Sequence, residues 1–200
     1  MKYPKLREIK GALQSLFTKA YTAKFPFAPH TPSAHFRGKP YYDEEKCIGC
    51  TACVNVCPSG ALSFDDESSK ENALRRLTVR WDICIECGQC QLNCPTEEGI
   101  KLSGEFDIST TEKRDDLHQN IEKEMVICEH CNSPIACKDH IVWTIQKLGP
   151  LYTTNTSLIN FQQQSLQAGD TIPKKENTIG RSDRFKVLCP ACRREAVFSS

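Results

Sequence analysis

Cys47-Ile48-Gly49-Cys50-Thr51-Ala52-Cys53, closed by Cys57-Pro58, returns 37 residues later as Cys84-Ile85-Glu86-Cys87-Gly88-Gln89-Cys90, closed by Cys94-Pro95. Three thiols two residues apart let a tight loop wrap one iron-sulfur cube, and the spacing is that of a [4Fe-4S] ligand run. In a doubled run of this kind the fourth cysteine of each copy serves the other copy's cluster. The expected sets are therefore Cys47, Cys50, Cys53 and Cys94 for cluster one, and Cys84, Cys87, Cys90 and Cys57 for cluster two. Neither half is complete alone. Disulfides or zinc account poorly for the pattern, because zinc prefers two CxxC pairs and these are triplets followed by Cys-Pro.

The repeat extends past the ligands. Leu62 and Phe64 match Ile100 and Leu102 once one extra residue in Thr96-Glu97-Glu98 is allowed for. Short strands are expected at Tyr41 to Asp43, Leu62 to Phe64, Leu77 to Trp81 and Ile100 to Leu102, with a helical turn inside each cysteine run. These make two βαβ-like halves around two cubes. Asp65 to Arg76 is polar and reads as a surface loop between them.

The chain has 200 residues, 13 cysteines and 39% hydrophobic content. That allows a modest core, so metal is expected to hold part of the fold together. The odd cysteine count and ligand-like spacing argue against a secreted disulfide scaffold and for a reducing, anaerobic cytoplasm. No apolar run approaches the ~18 residues of a membrane span, and Met1 to Tyr21 lacks the apolar core of a signal peptide, so a soluble chain is expected. Net charge is +1 overall, but residues 1 to 42 hold eight Lys or Arg against the single acid Glu8. Such asymmetry bears on partners rather than on fold.

Leu6, Ile9, Leu13, Leu16, Phe17 and Tyr21 recur at helical spacing, with Lys5, Arg7, Lys10 and Lys19 around the rest of the turn. This amphipathic basic helix either packs on its own domain or docks on a partner or a membrane surface. Pro26, Pro29, Pro32 and Pro40 make Phe25 to Pro40 an extended arm, suited to lying along another subunit. Residues 1 to 40 thus form a docking segment, 41 to 106 the two-cluster domain, and 107 to 200 a third region.

That third region begins with a helix expected from Thr110 or Thr111 to about Glu124, with Leu117, Ile121 and Met125 on one face. Cys128-Glu129-His130-Cys131 and Cys189-Pro190-Ala191-Cys192 follow as paired knuckles, a four-thiolate ligand set. A helix from Pro134 to Leu148, with Ile135, Ile141, Val142, Ile145 and Leu148 facing inward, and a polar loop from Tyr152 to Arg184 fill the gap. Zinc is the expected metal at Cys128, Cys131, Cys189 and Cys192. A single rubredoxin-type iron is the alternative, since Leu188-Cys189-Pro190-Ala191-Cys192 resembles a rubredoxin knuckle. Cys137 and His140 offer a second arrangement, a local set of Cys128, Cys131, Cys137 and His140.

The sequence as a whole resembles the ferredoxin-like subunit of formate hydrogenlyase and related membrane-bound group 4 nickel-iron hydrogenases, itself similar to the two-cluster subunit of respiratory complex I. Phe36-Arg37-Gly38-Lys39-Pro40, both cysteine runs, Ile100-Lys101-Leu102-Ser103 and Glu105-Phe106 carry the likeness. The knuckles Cys128-x-x-Cys131-Asn132-x-Pro134 and Cys189-Pro190-x-Cys192 look like that subunit's C-terminal extension, which favours the hydrogenase branch. Glu86 stands where an aromatic is common, and Gln91-Leu92 replaces a typically acidic pair.

The fold implied is α+β: a two-[4Fe-4S] bacterial ferredoxin-like core with an N-terminal helix and arm, plus a C-terminal zinc-ribbon or rubredoxin-like module. The function implied is an electron relay between an input oxidoreductase and the small subunit of a nickel-iron hydrogenase. Implied partners are the hydrogenase large and small subunits and other iron-sulfur subunits, with peripheral attachment to the cytoplasmic side of the cell membrane through them. A complex I-like quinone oxidoreductase subunit and a free two-cluster ferredoxin are the alternatives. Bond chemistry is not expected, because no nucleophile and base, phosphate loop or open metal position is evident. Nucleic-acid binding is not expected either, since only Arg193 and Arg194 lie by the knuckles. Glu86, matching Gly49 of the first loop, is expected to hold cluster two at the lower potential, because nearby charge is one of the levers on a cluster.

Overall fold

The computed structural model describes residues 5–19, 21–68, 73–111, 113–166, 179 and 186–198. The chain divides into two compact units, Met1–Phe36 and Arg37–Ser200. In the first, α1 (Leu6–Phe17) starts where the Glu8 carboxylate accepts a hydrogen bond from the Lys5 backbone amide at 3.0 Å, one half of a capping box. Its apolar stripe is bare: Leu6 is 86% exposed and Phe17 88%. The proline-bearing stretch that follows forms turns and no regular element before Pro40.

The second unit is built on two short antiparallel pairings. Strand β1 (Pro40–Tyr42) pairs with β4 (Ile100–Leu102), and β2 (Leu62–Ser68) pairs with β3 (Ala73–Arg80). Tyr42 opposes Ile100 and Leu62 opposes Val79, so the two pairs are copies of each other under the 37-residue repeat. All four side chains are buried in one core with Leu77 and Ile121. Each half keeps the expected strand-helix-strand order, and each strand pairs with a strand of the other half. The one-turn helices α2 (Ala52–Asn55) and α3 (Gln89–Leu92) sit inside the cysteine runs, as the sequence indicates.

Four expected elements differ, three of them around the sheet. Asp65 to Arg76 is largely strand, because β2 and β3 continue outward as a ribbon whose polar residues answer one another across it. Asp66 faces Arg75 and Asp65 faces Arg76. The helix expected from Thr110 to Glu124 is instead a 3-10 turn (Arg114–Asp116) and strand β5 (His118–Ile127). Leu117, Ile121 and Met125 are four residues apart, a spacing that fits a two-residue period as well as a helical one, and the bare edge of β3 takes the strand. The third is Pro134 to Leu148, which opens as an edge strand, β6 (Pro134–Cys137), and becomes helix α4 only from Lys138 to Leu148. Pro134 has no amide to donate and is tolerated at such an edge. On α4, Ile141 is buried, whereas Val142 and Leu148 are each 40% exposed rather than inward.

The order β2-β3-β5-β6 makes one four-stranded antiparallel sheet. Gln119 on β5 ties the small β1-β4 sheet to it by imitating a strand: its side-chain carbonyl accepts from the Tyr42 amide at 2.8 Å and its NH2 donates to the Tyr42 carbonyl at 3.0 Å. The loop expected from Tyr152 to Arg184 is helical in part: a 3-10 turn (Gly149–Thr154) leads to α5 (Thr156–Leu166). Most of the remainder of that stretch lies outside the described residues. Ser157 and Asn160 of α5 hydrogen-bond the carbonyls of Leu188 and Lys186, positioning the second knuckle ahead of α6 (Pro190–Phe198).

Leu77 is 1% exposed at the centre of this core. Leu77→Ala is expected to destabilise the chain by about 2–5 kcal/mol in denaturant titration. Thr78→Ala, on the exposed face of the same strand, should change stability by less than about 1 kcal/mol.

Candidate iron-sulfur and thiolate sites

The cysteine loops share one backbone. Left-handed conformations occur at Gly49 and Glu86 (φ 70° and 52°), at Thr51 and Gly88 (63° and 78°), and at Gly60 and Glu97 (67° and 60°), each pair one repeat apart. These turns aim amides inward at sulfur: the Glu86 amide donates to Cys84 Sγ at 3.4 Å, and the Gly49 amide makes the matching bond to Cys47. Non-glycine residues with positive φ are uncommon, so Thr51, Glu86 and Glu97 mark backbone dictated by the loop rather than by residue preference.

Each loop encloses a cavity. Cys47, Cys50, Cys53 and Cys94 line one, against Tyr42 and Leu77. Cys57, Cys84, Cys87 and Cys90 line another, against Leu62 and Leu102. Each cavity thus gathers three sulfurs of one run and the fourth of the other. None of the thirteen cysteines is in a disulfide. At the first cavity Gly99 leaves room: a Cβ there would come within 3.1 Å of Cys47 Cα and 3.3 Å of Cys94 Sγ. Four thiols converging inside an apolar wall, with the backbone drawn back, fit a [4Fe-4S] group in donor chemistry and in shape.

The sulfurs are not equivalent. Burial pushes Cys47 and Cys90 up to about 11, and raises Cys50, Cys53 and Cys84 too. At Cys57 burial acts the same way but is outweighed by hydrogen bonds from the amides of Leu62, Ala61 and Ser59 and from the Ser59 hydroxyl, so the thiol is lowered. Cys94 is lowered likewise, by the Thr96 hydroxyl at 3.3 Å and the amides of Thr96, Gly99 and Ile100. The Cys-Pro turn is thus a nest of donors that favours thiolate. Tyr42, its hydroxyl kept protonated by burial, lies 3.5 Å from Cys53 Sγ and can donate to it.

In the C-terminal region the sulfurs of Cys128, Cys131, Cys189 and Cys192 all lie within 4.8 Å of one another. The first knuckle is closed by Asn132 in a left-handed turn, with its amide donating to the Cys128 carbonyl at 2.9 Å. The second runs directly into α6. Hydrogen bonds from the Ser133 hydroxyl, 3.0 Å away, and the Ser133 amide pull Cys131 down to about 6. Burial and the neighbouring sulfurs hold Cys192 up. Four sulfurs this close repel as thiolates unless a cation sits among them, and the set suits a tetrahedral metal.

Cys137 does not join this group, which removes the local set with His140. Its Sγ instead lies 3.5 Å from the Gly49 carbonyl, beside the first cysteine loop. Arg75, Lys123, Tyr42 and Gln119, all in contact with the loops or the strands that carry them, have no motif in the sequence that announces them. Their roles come from strand pairing.

A chain whose two cavities each gather four thiols has the architecture of a two-cluster iron-sulfur protein. A model of the 4Fe-4S dicluster domain matches residues 46–98. Formate hydrogenlyase subunit 6 of Escherichia coli K12 is 36% identical over 134 residues, covering 66% of this chain and 71% of that protein. NADH-quinone oxidoreductase subunit I 2 of Geobacter metallireducens is 30% identical over 120 residues, covering 56% and 89%. NAD(P)H-quinone oxidoreductase subunit I of Gloeobacter violaceus is 32% identical over 100 residues, and the chain spans about half of it, 47%. The chain belongs to the dicluster family that contains formate hydrogenlyase subunit 6 and the subunit I proteins of quinone oxidoreductases.

Cys189→Ser is expected to abolish metal binding at the C-terminal group, read as loss of one metal per chain in elemental analysis. Cys137→Ser should leave that metal bound.

Proposed function

We propose that this chain is the electron relay of a membrane-associated oxidoreductase of the formate hydrogenlyase type, in which Cys47, Cys50, Cys53 and Cys94 hold one [4Fe-4S] cluster and Cys84, Cys87, Cys90 and Cys57 hold the other. The observation that carries the reading is the crossed gathering of sulfurs, three from one run and one from the other, in each of two adjoining cavities. When bound, the clusters supply one-electron transfer. The chain's own residues hold them, exclude water with Tyr42, Leu62 and Leu77, and direct amide and hydroxyl hydrogens at the sulfurs, a recognised lever on cluster potential.

The hydrogenase branch is preferred because the match to formate hydrogenlyase subunit 6 spans 66% of this chain, more than that to either quinone oxidoreductase relative described. In this reading the electron acceptor is the small subunit of a nickel-iron hydrogenase, and an input oxidoreductase supplies electrons. Residues 1 to 40 serve as the docking segment: the bare apolar stripe of α1 supports this, as does the positive charge of the segment. Residues 41 to 106 are the two-cluster domain. Residues 107 to 200 form a metal-stapled module in which Cys128, Cys131, Cys189 and Cys192 hold zinc, which contributes folding free energy rather than redox chemistry. No described helix is long and apolar enough to cross a membrane; attachment is through partner subunits on the cytoplasmic side.

Anaerobically loaded protein is expected to carry about eight iron with matching sulfide, plus one zinc. In Cys57→Ser, EPR should show damage to the cluster of Cys84, Cys87 and Cys90, not to the one nearest in sequence. Loss of the Cys47, Cys50, Cys53 signal instead would reverse the assignment. Deleting residues 1 to 36 should release the subunit from the complex isolated in mild detergent while leaving both cluster signals, since every ligand lies later. Retention in the complex would remove the docking role.

A further inference from the structure

The two cysteine loops share a backbone but not a setting. The carbonyl of Gly49, in the first loop, accepts two hydrogen bonds from distant elements. One comes from Arg75 Nη1 of β3 at 2.9 Å and the other from Cys137 Sγ, at the β6–α4 junction, at 3.5 Å. Arg75 is itself fixed: Asp66 opposite it accepts from Nε at 2.6 Å and Nη2 at 2.7 Å, and the guanidinium lies 4.9 Å from the centre of the Phe64 ring. A little upstream, Lys123 of β5 donates to the Glu44 carbonyl and pairs with Asp139 at 3.2 Å. The segment that enters cavity one is therefore held at both ends by cations. They are well shielded, with side chains 12% exposed at Arg75 and 10% at Lys123.

This packing explains why glycine stands at 49. A Cβ there would fall 2.5 Å from Cys137 Sγ and 3.4 Å from Lys123 Cβ. One repeat later the same backbone conformation carries a full glutamate, Glu86, which lines cavity two. The neighbouring isoleucines differ in the same sense: Ile48 is 9% exposed and Ile85 62%. At the second loop Arg37 donates to the Cys87 carbonyl at 3.1 Å from an exposed position, where salt screens it. Shielded charge acts more strongly than exposed charge.

We propose that Arg75 and Lys123, with Cys137, are positioning residues that clasp the Glu44 to Gly49 segment and hold the cluster of cavity one at a higher reduction potential than the cluster of cavity two, where Glu86 opposes the added electron. The proposal rests on the two-cluster reading. Reduction adds one negative charge to a cluster, so a shielded cation stabilises the reduced form and a carboxylate destabilises it. Asp66 and Asp139 offset part of the cationic charge, and they also aim it: the fork of Asp66 leaves Nη1 free to reach the loop. Cys137, fully buried, is pushed up to about 11 by that burial and keeps its proton to donate.

The test is a potentiometric titration of the full chain with both clusters loaded, followed by EPR. Arg75→Gln should lower one midpoint only, so that the reduced fraction of that cluster at its wild-type midpoint falls several-fold, and Arg75→Lys should recover most of the loss. Glu86→Gln should raise the other midpoint. If Arg75→Gln does not fold, Lys123→Gln should lower the same midpoint that Glu86→Gln leaves alone. Movement of both midpoints together, movement of neither, the same signal responding to Arg75→Gln and Glu86→Gln, or Arg75→Lys behaving like Arg75→Gln would each overturn the proposal. Failure of the underlying reading looks different: the wild-type chain itself would then show fewer than two clusters.

Discussion

Strand exchange between the two repeats is the constraint on which the rest of the molecule depends. Because β1 pairs with β4 and β2 with β3, each half lends a strand to the other, and the Cys-Pro turn that follows each run is carried across with it. Tyr42, Ile100, Leu62 and Val79 are buried at the centre of that exchange, so the same apolar contacts that stabilise the fold also bring the fourth sulfur to each cavity. A protein with so small a core gains from having binding and folding depend on the same residues.

The remainder of the second unit grows from the free edge of this core. β3 would leave a row of unpaired amides and carbonyls, and β5 and then β6 cover it. Gln119 closes the gap to the small sheet with two side-chain hydrogen bonds where no strand fits. β6 ends at Cys137, and the polypeptide turns there into α4, so this junction packs on the first cysteine loop, where Ile48 is buried, while Ile85 of its twin is exposed. The four-thiolate group then joins the two knuckles, which have 57 residues between them in sequence.

Internal duplication gives this chain two sites with one geometry, and the surroundings differentiate them. The left-handed positions repeat faithfully whether occupied by Gly, Thr or Glu, which shows that the loop conformation is set by strand ends and Cys-Pro turns more than by residue preference. What varies is the charge and enclosure around each loop. For paired redox centres that is where functional asymmetry would reside, since the ligands are alike.

The repeat, the helical turns inside the runs and the strand Ile100 to Leu102 were legible in the sequence, because residue spacing and short apolar strands report local geometry directly. The paired knuckles were legible too, as residue types at a spacing. Three other features were decided by tertiary structure. Leu117, Ile121 and Met125 satisfy both strand and helix periods, and only the bare edge of β3 chooses between them. Asp65 to Arg76 is polar because it is a ribbon in solvent, and the pairing of Asp66 with Arg75 that makes it strand is invisible in composition. Whether Cys137 or the distant Cys189 and Cys192 complete the C-terminal group depends on where β6 is anchored. A sequence records the residues that can form a contact, and the edge left open by the first core decides which contact forms.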